Sequence, residues 1–416
     1  MIAIPFVYFS LLLGYTLLQK KKWSMDAAAI TLLILISFFA IIIDVKDLYG
    51  DYGINEQNYN LPTVILFCIQ WTIILIPIKI IAGMQLLPHL KIKENLLKAL
   101  IIIVTICSIT MVIVMLSDIK EALIMDLADV RGTHYQNLKA GGSDGANYFM
   151  LIPTILSSTP FPTLALFFWF YLSAYTKFSK ILTGGILFAS IVQAILAIVM
   201  AGRAAMIYWM FDFFILYSFF YDKISKSLNR KILLVVCSLG IIMALLFISI
   251  TIARFGISGS NRDPFDSLYG YAGQHIDNFC TVIRYGGSAP ISIDRIFPLT
   301  NKILTGHNFD LYEHYQTLGK YMDIWVSVFD TFGGEIYLDL GWIGYILFFL
   351  AVIIFSYMIK YYWKEIKFYD TFLFIIIVSF FTRSLFAWPF TGHYITLAII
   401  FILILRYIFK YIISVY

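Results

Sequence analysis

Arginine and histidine side chains are concentrated in one polar stretch, residues 254–334, which separates two hydrophobic segments. Several arginines facing a pyrophosphate could bind it without a metal ion. The planar guanidinium group suits phosphate recognition and stabilises the charge that develops on a leaving group. We therefore predict an anion-binding site here, with salt bridges to Asp263, Asp266 and Asp277 as the alternative interpretation. The four arginines of the stretch are Arg254, Arg262, Arg284 and Arg295.

Three histidines and one carboxylate are the candidate general bases. His275, His307 and His314 lie in the same stretch, and a histidine can take a proton from a hydroxyl group. Single histidines in loops also often have a purely structural role. Glu335 and Asp339 are four positions apart where the next predicted span begins, which puts both on one helix face. Acids at a helix N-terminus also stabilise the helix through its dipole, so both interpretations stay open.

Further candidates lie outside this stretch. Arg203 follows Gly202 in a short connection between two predicted spans. It could bind a lipid-linked phosphate, or it could extend to the membrane interface and cap the hairpin. Arg131 and Arg383 are also predicted on the outer side of the membrane, and both are candidate ligands of an anionic substrate. Asp212 is an acid inside a predicted span, where it is either functional or part of a buried hydrogen-bonded pair.

The cysteines and short motifs argue against metal and nucleotide chemistry. Cys68, Cys107 and Cys237 fall inside hydrophobic segments, Cys280 is alone in the polar stretch, and no CxxC pair occurs. We therefore predict no disulfide framework, no metal site and no cofactor. No phosphate-binding loop, HExxH or GxSxG context occurs either, which disfavours ATP-driven and standard hydrolase chemistry.

The rest of the chain is typical of an all-α polytopic membrane protein. Hydrophobic residues make up 61% of the 416 residues and charged residues only 13%, whereas soluble domains are about a quarter charged. A span needs about 20 mostly apolar residues. Three prolines, Pro153, Pro160 and Pro162, predict a broken fifth segment, and the last two segments could be a re-entrant pair. The eleven candidates are residues 1–18, 27–43, 61–83, 99–117, 148–175, 181–200, 204–220, 232–253, 336–358, 370–387 and 390–408.

The distribution of cations predicts the orientation. Connections on one side of the predicted membrane hold 17 lysines and arginines, and those on the other side hold six apart from residues 254–334. The first side is therefore cytoplasmic, with the N-terminus outside and the C-terminus inside. On this reading the chain is a single membrane domain, 1–416, with a large outer loop, 254–334, and a second outer loop, 118–147. The net charge of +5 reflects topology, and no nucleic-acid partner is predicted.

Two short motifs and the loop arrangement resemble a known family. The motifs are Ala201 to Ala205 (AGRAA), which opens the seventh segment, and Phe332 to Gly344 (FGGEIYLDLGWIG), which enters the ninth. Together with the large outer loop they resemble the oligosaccharide repeat-unit polymerases (O-antigen polymerases) of bacterial envelopes. The resemblance implies a metal-independent, GT-C-like integral membrane glycosyltransferase of the bacterial inner membrane. It also implies an outer-side role for Arg203, which matches the first motif.

The resemblance implies a substrate and partners as well. Such enzymes transfer a growing glycan from undecaprenyl pyrophosphate to the non-reducing end of a new lipid-linked repeat unit, at the outer face of the membrane. The product would be an O-antigen, capsular or exopolysaccharide chain. Membrane lipid and a chain-length regulator protein are further candidate partners. Our hypothesis is that Arg203, Arg254 and Arg284 hold the pyrophosphate. The alternatives are an O-antigen ligase and a polysaccharide transporter or flippase.

Overall fold

The apolar segments form helices, because a backbone without water must satisfy its own polar groups. The computed structural model describes residues 1–48, 59–86, 94–116, 119–120, 148–175, 179–199, 204–256, 264–288, 291–306, 313, 316–318, 320, 331–390 and 393–414. The second outer loop, 118–147, lies almost wholly outside these ranges.

Fifteen helices of eight or more residues occur in the described chain. The first eight are α1 (Ala3–Lys20), α2 (Met25–Lys46), α3 (Leu61–Ala82), α4 (Glu94–Val114), α5 (Tyr148–Ser157), α6 (Phe161–Tyr175), α7 (Lys180–Val199) and α8 (Ala204–Phe220). The remainder are α9 (Lys226–Gly256), α10 (Pro264–Gly273), α11 (His275–Tyr285), α12 (Pro298–Thr305), α13 (Thr331–Tyr362), α14 (Phe368–Ser384) and α15 (His393–Ser414). Two short strands, β1 (Gln85–Leu86) and β2 (Glu365–Ile366), pair with each other.

The all-α membrane architecture is confirmed. Each of the eleven predicted segments is helical over most of its length. Eight of the described helices are long and apolar enough to cross a membrane, and the pair α5 and α6 makes nine if it counts as one span. That pair is bent by 61°, so the predicted break in the fifth segment is confirmed. The finer prediction of eleven spans stays a prediction. One of the eleven segments, α14, has 17 residues, whereas a span needs about 20.

The described chain divides into two compact units. The first comprises Met1–Gln85, Phe265–Glu365 and Phe380–Thr396. The second comprises Leu86–Pro264, Ile366–Ser379 and Leu397–Tyr416. Each unit is therefore assembled from three separate segments of the chain.

In the second unit, α6 is buried on every side. Its residues from Phe161 to Leu172 are all buried, and their rings pack against aromatic side chains such as Phe220 and Phe374. Asp212 on α8 is also buried, and the Thr163 hydroxyl of α6 donates a hydrogen bond to it at 2.6 Å. The hydrogen-bonded pair considered for Asp212 is thus present, beside the break between α5 and α6.

In the first unit, the helices of the large loop, 254–334, pack directly on the long apolar helices. At the end of α10, a Cβ on Gly273 would lie 2.4 Å from the backbone of Phe39 in α2, so only glycine allows this approach. On α11, the Phe279 ring lies 5.7 Å from the Phe67 ring of α3. Lys46 forms an ion pair with Asp266 of α10. The described part of the loop is therefore folded onto the bundle.

A helical hairpin is the main departure from the predicted fold. Inside α13, Gly341 has φ 63° and ψ −168°, which is not helical. The ring of Phe332 lies 5.8 Å from that of Phe349, yet in a continuous helix residues 17 positions apart would be about 26 Å apart. Residues 331–340, the short arm, therefore fold back along residues 342–362, the long arm. The sequence predicts one continuous helical segment that begins next to Glu335, and this was wrong, because the helix is broken at Gly341.

The short arm is held against α3 within the first unit. The long arm has 21 residues, about 31 Å, enough to cross a membrane by itself. Asn60 begins α3 with a capping box, since its side chain accepts a hydrogen bond from the Thr63 N–H at 3.0 Å. Farther along α3, the Gln70 amide oxygen accepts a hydrogen bond from the Tyr345 hydroxyl at 3.1 Å. The Phe332 ring of the short arm lies 5.2 Å from the Trp71 ring of α3. α3 thus contacts both arms, and the short arm is re-entrant into the unit.

Candidate functional site

A buried ion pair between Arg295 and Glu335 is the centre of the candidate site. Arg295 lies in a turn of the large loop and Glu335 lies on the short arm, and their side chains are 2% and 0% exposed. The Arg295 guanidinium donates to one carboxylate oxygen of Glu335. The other oxygen accepts a hydrogen bond from the backbone N–H of Trp388 at 2.6 Å. Glu335 therefore joins the large loop to the segment between α14 and α15.

Asp339 fixes the backbone that presents Arg295. One of its carboxylate oxygens accepts hydrogen bonds from the N–H groups of Arg295 at 3.0 Å and Ile296 at 2.9 Å. The Asp339 carbonyl accepts a further hydrogen bond from the N–H of Ser292 at 2.7 Å. The indole N–H of Trp388 donates to the Ile296 carbonyl at 3.1 Å. The two acids of the short arm thus hold the same turn. Glu335 binds the side chain of Arg295, and Asp339 binds the backbone of Arg295 and Ile296.

The electrostatics of this cluster favour a fixed geometry. Removing a charge from water costs several kcal/mol per ion, a cost offset only when the partner and the remaining hydrogen bonds are well placed. Glu335 satisfies this condition with a guanidinium on one oxygen and a backbone donor on the other. A buried pair of this kind is weak evidence for net stability, because the desolvation of the two charges offsets much of their attraction. Its best supported role is therefore to position Arg295 and the loop that carries it.

Two other predicted site residues belong to the same buried region. His275 on α11 is fully buried, and its ring meets the Phe386 ring edge-on at 4.8 Å. Arg383 at the end of α14 is 5% exposed, donates to the Thr382 hydroxyl at 3.2 Å, and accepts from the N–H of Phe386 at its carbonyl. The segment from Arg383 to Trp388 therefore links His275, Arg383 and Glu335.

The remaining predicted residues are not brought to this region. Arg284 is exposed, with its guanidinium carbon 5.2 Å from the centre of the Tyr285 ring, whereas His275 on the same helix is buried. Arg254 lies in the last turn of α9, and its side chain lies outside the described part of the chain. The grouping of arginines around a pyrophosphate stays a prediction. Five further candidates lie outside the described residues: Arg131, Arg203, Arg262, His307 and His314.

Sequence reasoning missed the residues that organise the cluster. Arg295 is one of the four arginines of the loop, but the sequence indicates no partner for it, and nothing in the sequence singles out Trp388. The only signal in the sequence was the spacing of Glu335 and Asp339, which puts both acids on one helix face where they can bind the same neighbouring segment. Of the aspartates considered as partners of the loop arginines, Asp266 forms its ion pair with Lys46 instead.

The described residues contain no group of three or more histidine, cysteine or acidic side chains placed to hold a metal ion. Cys280 in the loop is a poorly reactive thiol, because burial raises its pKa to about 12. A thiol of this pKa is protonated at neutral pH and is not an activated nucleophile. What the cluster can do chemically is present a fixed guanidinium, a histidine and a carboxylate within one buried region.

No family model, curated protein sequence or solved structure matches this chain.

Proposed function

We propose that the protein is an integral membrane glycosyltransferase that polymerises lipid-linked oligosaccharide repeat units. The observation that carries the proposal is the buried pair Arg295–Glu335, which ties the large loop to the re-entrant short arm. The short arm lies within the motif FGGEIYLDLGWIG, on which the resemblance to repeat-unit polymerases rests. A lipid-linked glycan has an apolar chain and a polar head group, so its enzyme needs apolar helices for the first and a folded polar loop for the second.

The proposed reaction is a transfer between two lipid-linked glycans. A hydroxyl of the acceptor's non-reducing sugar attacks the anomeric carbon of the donor glycan and forms the new glycosidic bond. The bond from that carbon to the pyrophosphate oxygen breaks, and undecaprenyl pyrophosphate leaves with the electron pair. A base takes the hydroxyl proton, and His275, His307, His314 and Glu335 are the candidates. No metal or cofactor is part of this scheme.

Arginines stabilise the leaving pyrophosphate in this scheme. We assign that role to Arg203, Arg254 and Arg284, with Arg131, Arg262 and Arg383 as further ligands of the anionic substrate. Glu335 already accepts two hydrogen bonds, so the geometry favours it as a positioning residue over a base. The site would face outward from a bacterial inner membrane, with the C-terminus in the cytoplasm.

The direct test is extension of a purified substrate. The detergent-solubilised protein, given a lipid-linked repeat unit without nucleotide or ion gradient, is expected to form a ladder of longer glycans on a gel. The Arg203→Ala variant should lose the ladder while keeping its thermal stability. Ladder lengths equal to wild type in Arg203→Ala would remove Arg203 from the mechanism.

Two alternatives predict other outcomes. A cell lacking a polymerase should still attach a single repeat unit to lipid A core, whereas a cell lacking an O-antigen ligase should attach none. The transporter alternative is favoured by one observation, the contact of Thr163 with the buried acid Asp212 beside the bent pair α5 and α6. Glycan extension in detergent, where no gradient exists, would exclude a transporter or flippase.

A further inference from the structure

A cavity of about 350 Å³ lies beside the first turns of α9 in the second unit. Cavities of about 300–1,000 Å³ are typical of small-molecule sites. The described residues that line it are two polar ones, Asn229 and Arg230, and two apolar ones, Leu233 and Leu234. The apolar pair follows the polar pair by one helical turn, so the polar and apolar ends of the cavity are about 6 Å apart. The cavity is therefore amphipathic.

This amphipathic cavity lies where a predicted span begins. α9 starts with charged residues and becomes apolar at Ile232, the first residue of the predicted segment 232–253. The preceding helix α8 is long and apolar enough to cross a membrane and, with the turn after it, ends at Lys223. Asn229 is tied to the end of α8, because its amide oxygen accepts a hydrogen bond from the Tyr217 hydroxyl at 2.6 Å. The polar end of the cavity thus lies toward the predicted membrane surface, and its apolar end lies toward the interior.

The polar end of the cavity offers hydrogen-bond donors. The Asn229 amide oxygen is occupied by the Tyr217 hydroxyl, which leaves the amide N–H groups to donate. Arg230 is exposed, and its guanidinium forms no ion pair within the described part of the chain. By contrast, Arg406, which is predicted on the same side of the membrane, lies 3.5 Å from the Asp370 carboxylate. An unpaired guanidinium beside an amide donor suits the oxygens of a phosphate.

The charge around the cavity is positive. Lys226 and Lys231 flank Arg230 on α9, and both are exposed and form no ion pair with any described residue. Cations at the start of a helix oppose its dipole, so these three do not serve to stabilise α9. Cations at the end of a span also orient a membrane protein, but orientation does not require an arginine that lines a cavity. Three unpaired cations favour a ligand with net negative charge over a zwitterion, whose own cation they repel.

We propose that this cavity binds a phospholipid whose head group carries a net negative charge. Arg230 and Asn229 bind the phosphate oxygens, and an acyl chain lies over the two leucines. Farther along α9, Ile241 and Leu245 are exposed on the same helix face as Leu234 and continue the apolar surface. Basic pockets at the membrane surface are suited to anionic lipid head groups. The bound lipid anchors the end of α9 that is farther from the large loop.

The site does not depend on the proposed glycosyltransferase activity, so binding is tested without substrate. The full chain is purified in detergent, and its thermal unfolding temperature is measured with increasing phosphatidylglycerol in the micelles. A ligand of the folded state raises that temperature in a saturable manner. We expect such a rise with phosphatidylglycerol and a much smaller one with the zwitterionic phosphatidylcholine. Native mass spectrometry should show phosphatidylglycerol that stays bound to the protein.

Two substitutions of Arg230 test its role. Arg230→Gln is expected to weaken the apparent affinity for phosphatidylglycerol by about tenfold or more, because charge-assisted hydrogen bonds to the phosphate are lost. Arg230→Lys should restore only part of the affinity, since an ammonium group lacks the planar fork of the guanidinium. The side chain is exposed and forms no ion pair in the described structure, so both variants should fold. The matched control is Lys360→Gln, which removes an exposed cation near the end of the long arm and should keep the lipid response of the wild type.

Each of four outcomes would overturn the proposal. Equal stabilisation by phosphatidylcholine would remove the requirement for net negative charge. Wild-type affinity in Arg230→Gln would remove the arginine from the site. An equal loss of affinity in Lys360→Gln would mean that the lipid responds to general surface charge and not to this cavity. Saturable stabilisation by inorganic phosphate, with none by phosphatidylglycerol, would indicate a soluble ligand. A protein that fails to extend glycans would leave all these measurements unchanged, so the two proposals fail separately.

Discussion

Arg295 and Glu335 show how two charges can be kept inside an apolar unit. Each side chain is almost fully buried. The Trp388 N–H donates a hydrogen bond to Glu335, and the backbone N–H of Arg295 donates one to Asp339. Breaking a buried pair is far more damaging than replacing both members, because one charge is left uncompensated. This asymmetry gives the first prediction.

Glu335→Gln is expected to lower the free energy of unfolding by about 3–5 kcal/mol, because Arg295 loses its counter-charge. Replacing both residues together, Arg295→Met with Glu335→Leu, should recover most of that loss. The control is Glu94→Gln, whose partner Lys98 lies on the surface at 2.7 Å, and a loss below about 1 kcal/mol is expected there. Unfolding of the purified protein in detergent measures all three. Equal losses at positions 335 and 94 would contradict a buried pair.

Cys280 provides an independent measure of how tightly the loop packs. Burial raises the pKa of its thiol to about 12, so the reactive thiolate forms only as the pH approaches that value. We expect no reaction with a water-soluble maleimide at pH 8 in the folded protein, and rapid reaction after denaturation in detergent. A cysteine introduced as Ile291→Cys, at a position 76% exposed, serves as the positive control. Labelling of both sites at the same rate would mean that α11 is not packed on the bundle.

At the scale of elements, the helical hairpin at Gly341 decides where the site lies. Its short arm carries Glu335 and Asp339, and its long arm is long and apolar enough to cross a membrane. The turn depends on a backbone conformation, φ 63° with ψ −168°, that is nearly restricted to glycine. The hairpin therefore depends on one residue without a side chain.

Gly341→Ala is expected to destabilise the protein by about 1–3 kcal/mol, because the added Cβ disfavours this conformation. The matched control is Gly14→Ala in α1, where nothing lies within 4 Å of an added Cβ. Alanine is the better helix former there, so a neutral effect or a gain of up to about 1 kcal/mol is expected. Thermal unfolding in detergent compares the two variants. An unchanged Gly341→Ala would mean that the turn does not need glycine.

The elements also show what the sequence alone could predict. Apolar length is a local property, so the positions of the eleven helical segments could be predicted, and so could the break around Pro160. The turn at Gly341 could not, because Leu340 and Trp342 extend an apolar run typical of one continuous span. Nor could the partner of Glu335, because Arg295 is 40 positions away and only tertiary folding brings them together.

At the scale of the whole molecule, several contacts join segments that the cation distribution predicts on the same side of the membrane. Lys46 pairs with Asp266, and Arg295 and Trp388 both bind Glu335, and all of these residues are predicted to be outside. The shared side agrees with the predicted topology. Which side of the membrane it is stays a prediction.

Cysteines at two exposed positions would decide the orientation. Ile303→Cys in α12 and Tyr361→Cys near the end of α13 are placed in a background without other cysteines, at sites 75% and 69% exposed. In spheroplasts, a membrane-impermeant maleimide is expected to label position 303, and to label position 361 only after lysis, because cations favour the cytoplasmic side. The reverse pattern would invert the topology and move the proposed site into the cytoplasm.

The hydrogen bond from Tyr345 to Gln70 joins residues 275 positions apart, and this separation has a consequence for synthesis. A ribosome adding roughly 5–20 residues per second makes the second partner about 14–55 s after the first. Throughout that interval α3 is in the nascent chain with a polar amide whose final neighbours do not yet exist. We expect newly inserted α3 to need shielding from lipid, and the first unit to be completed only late in translation.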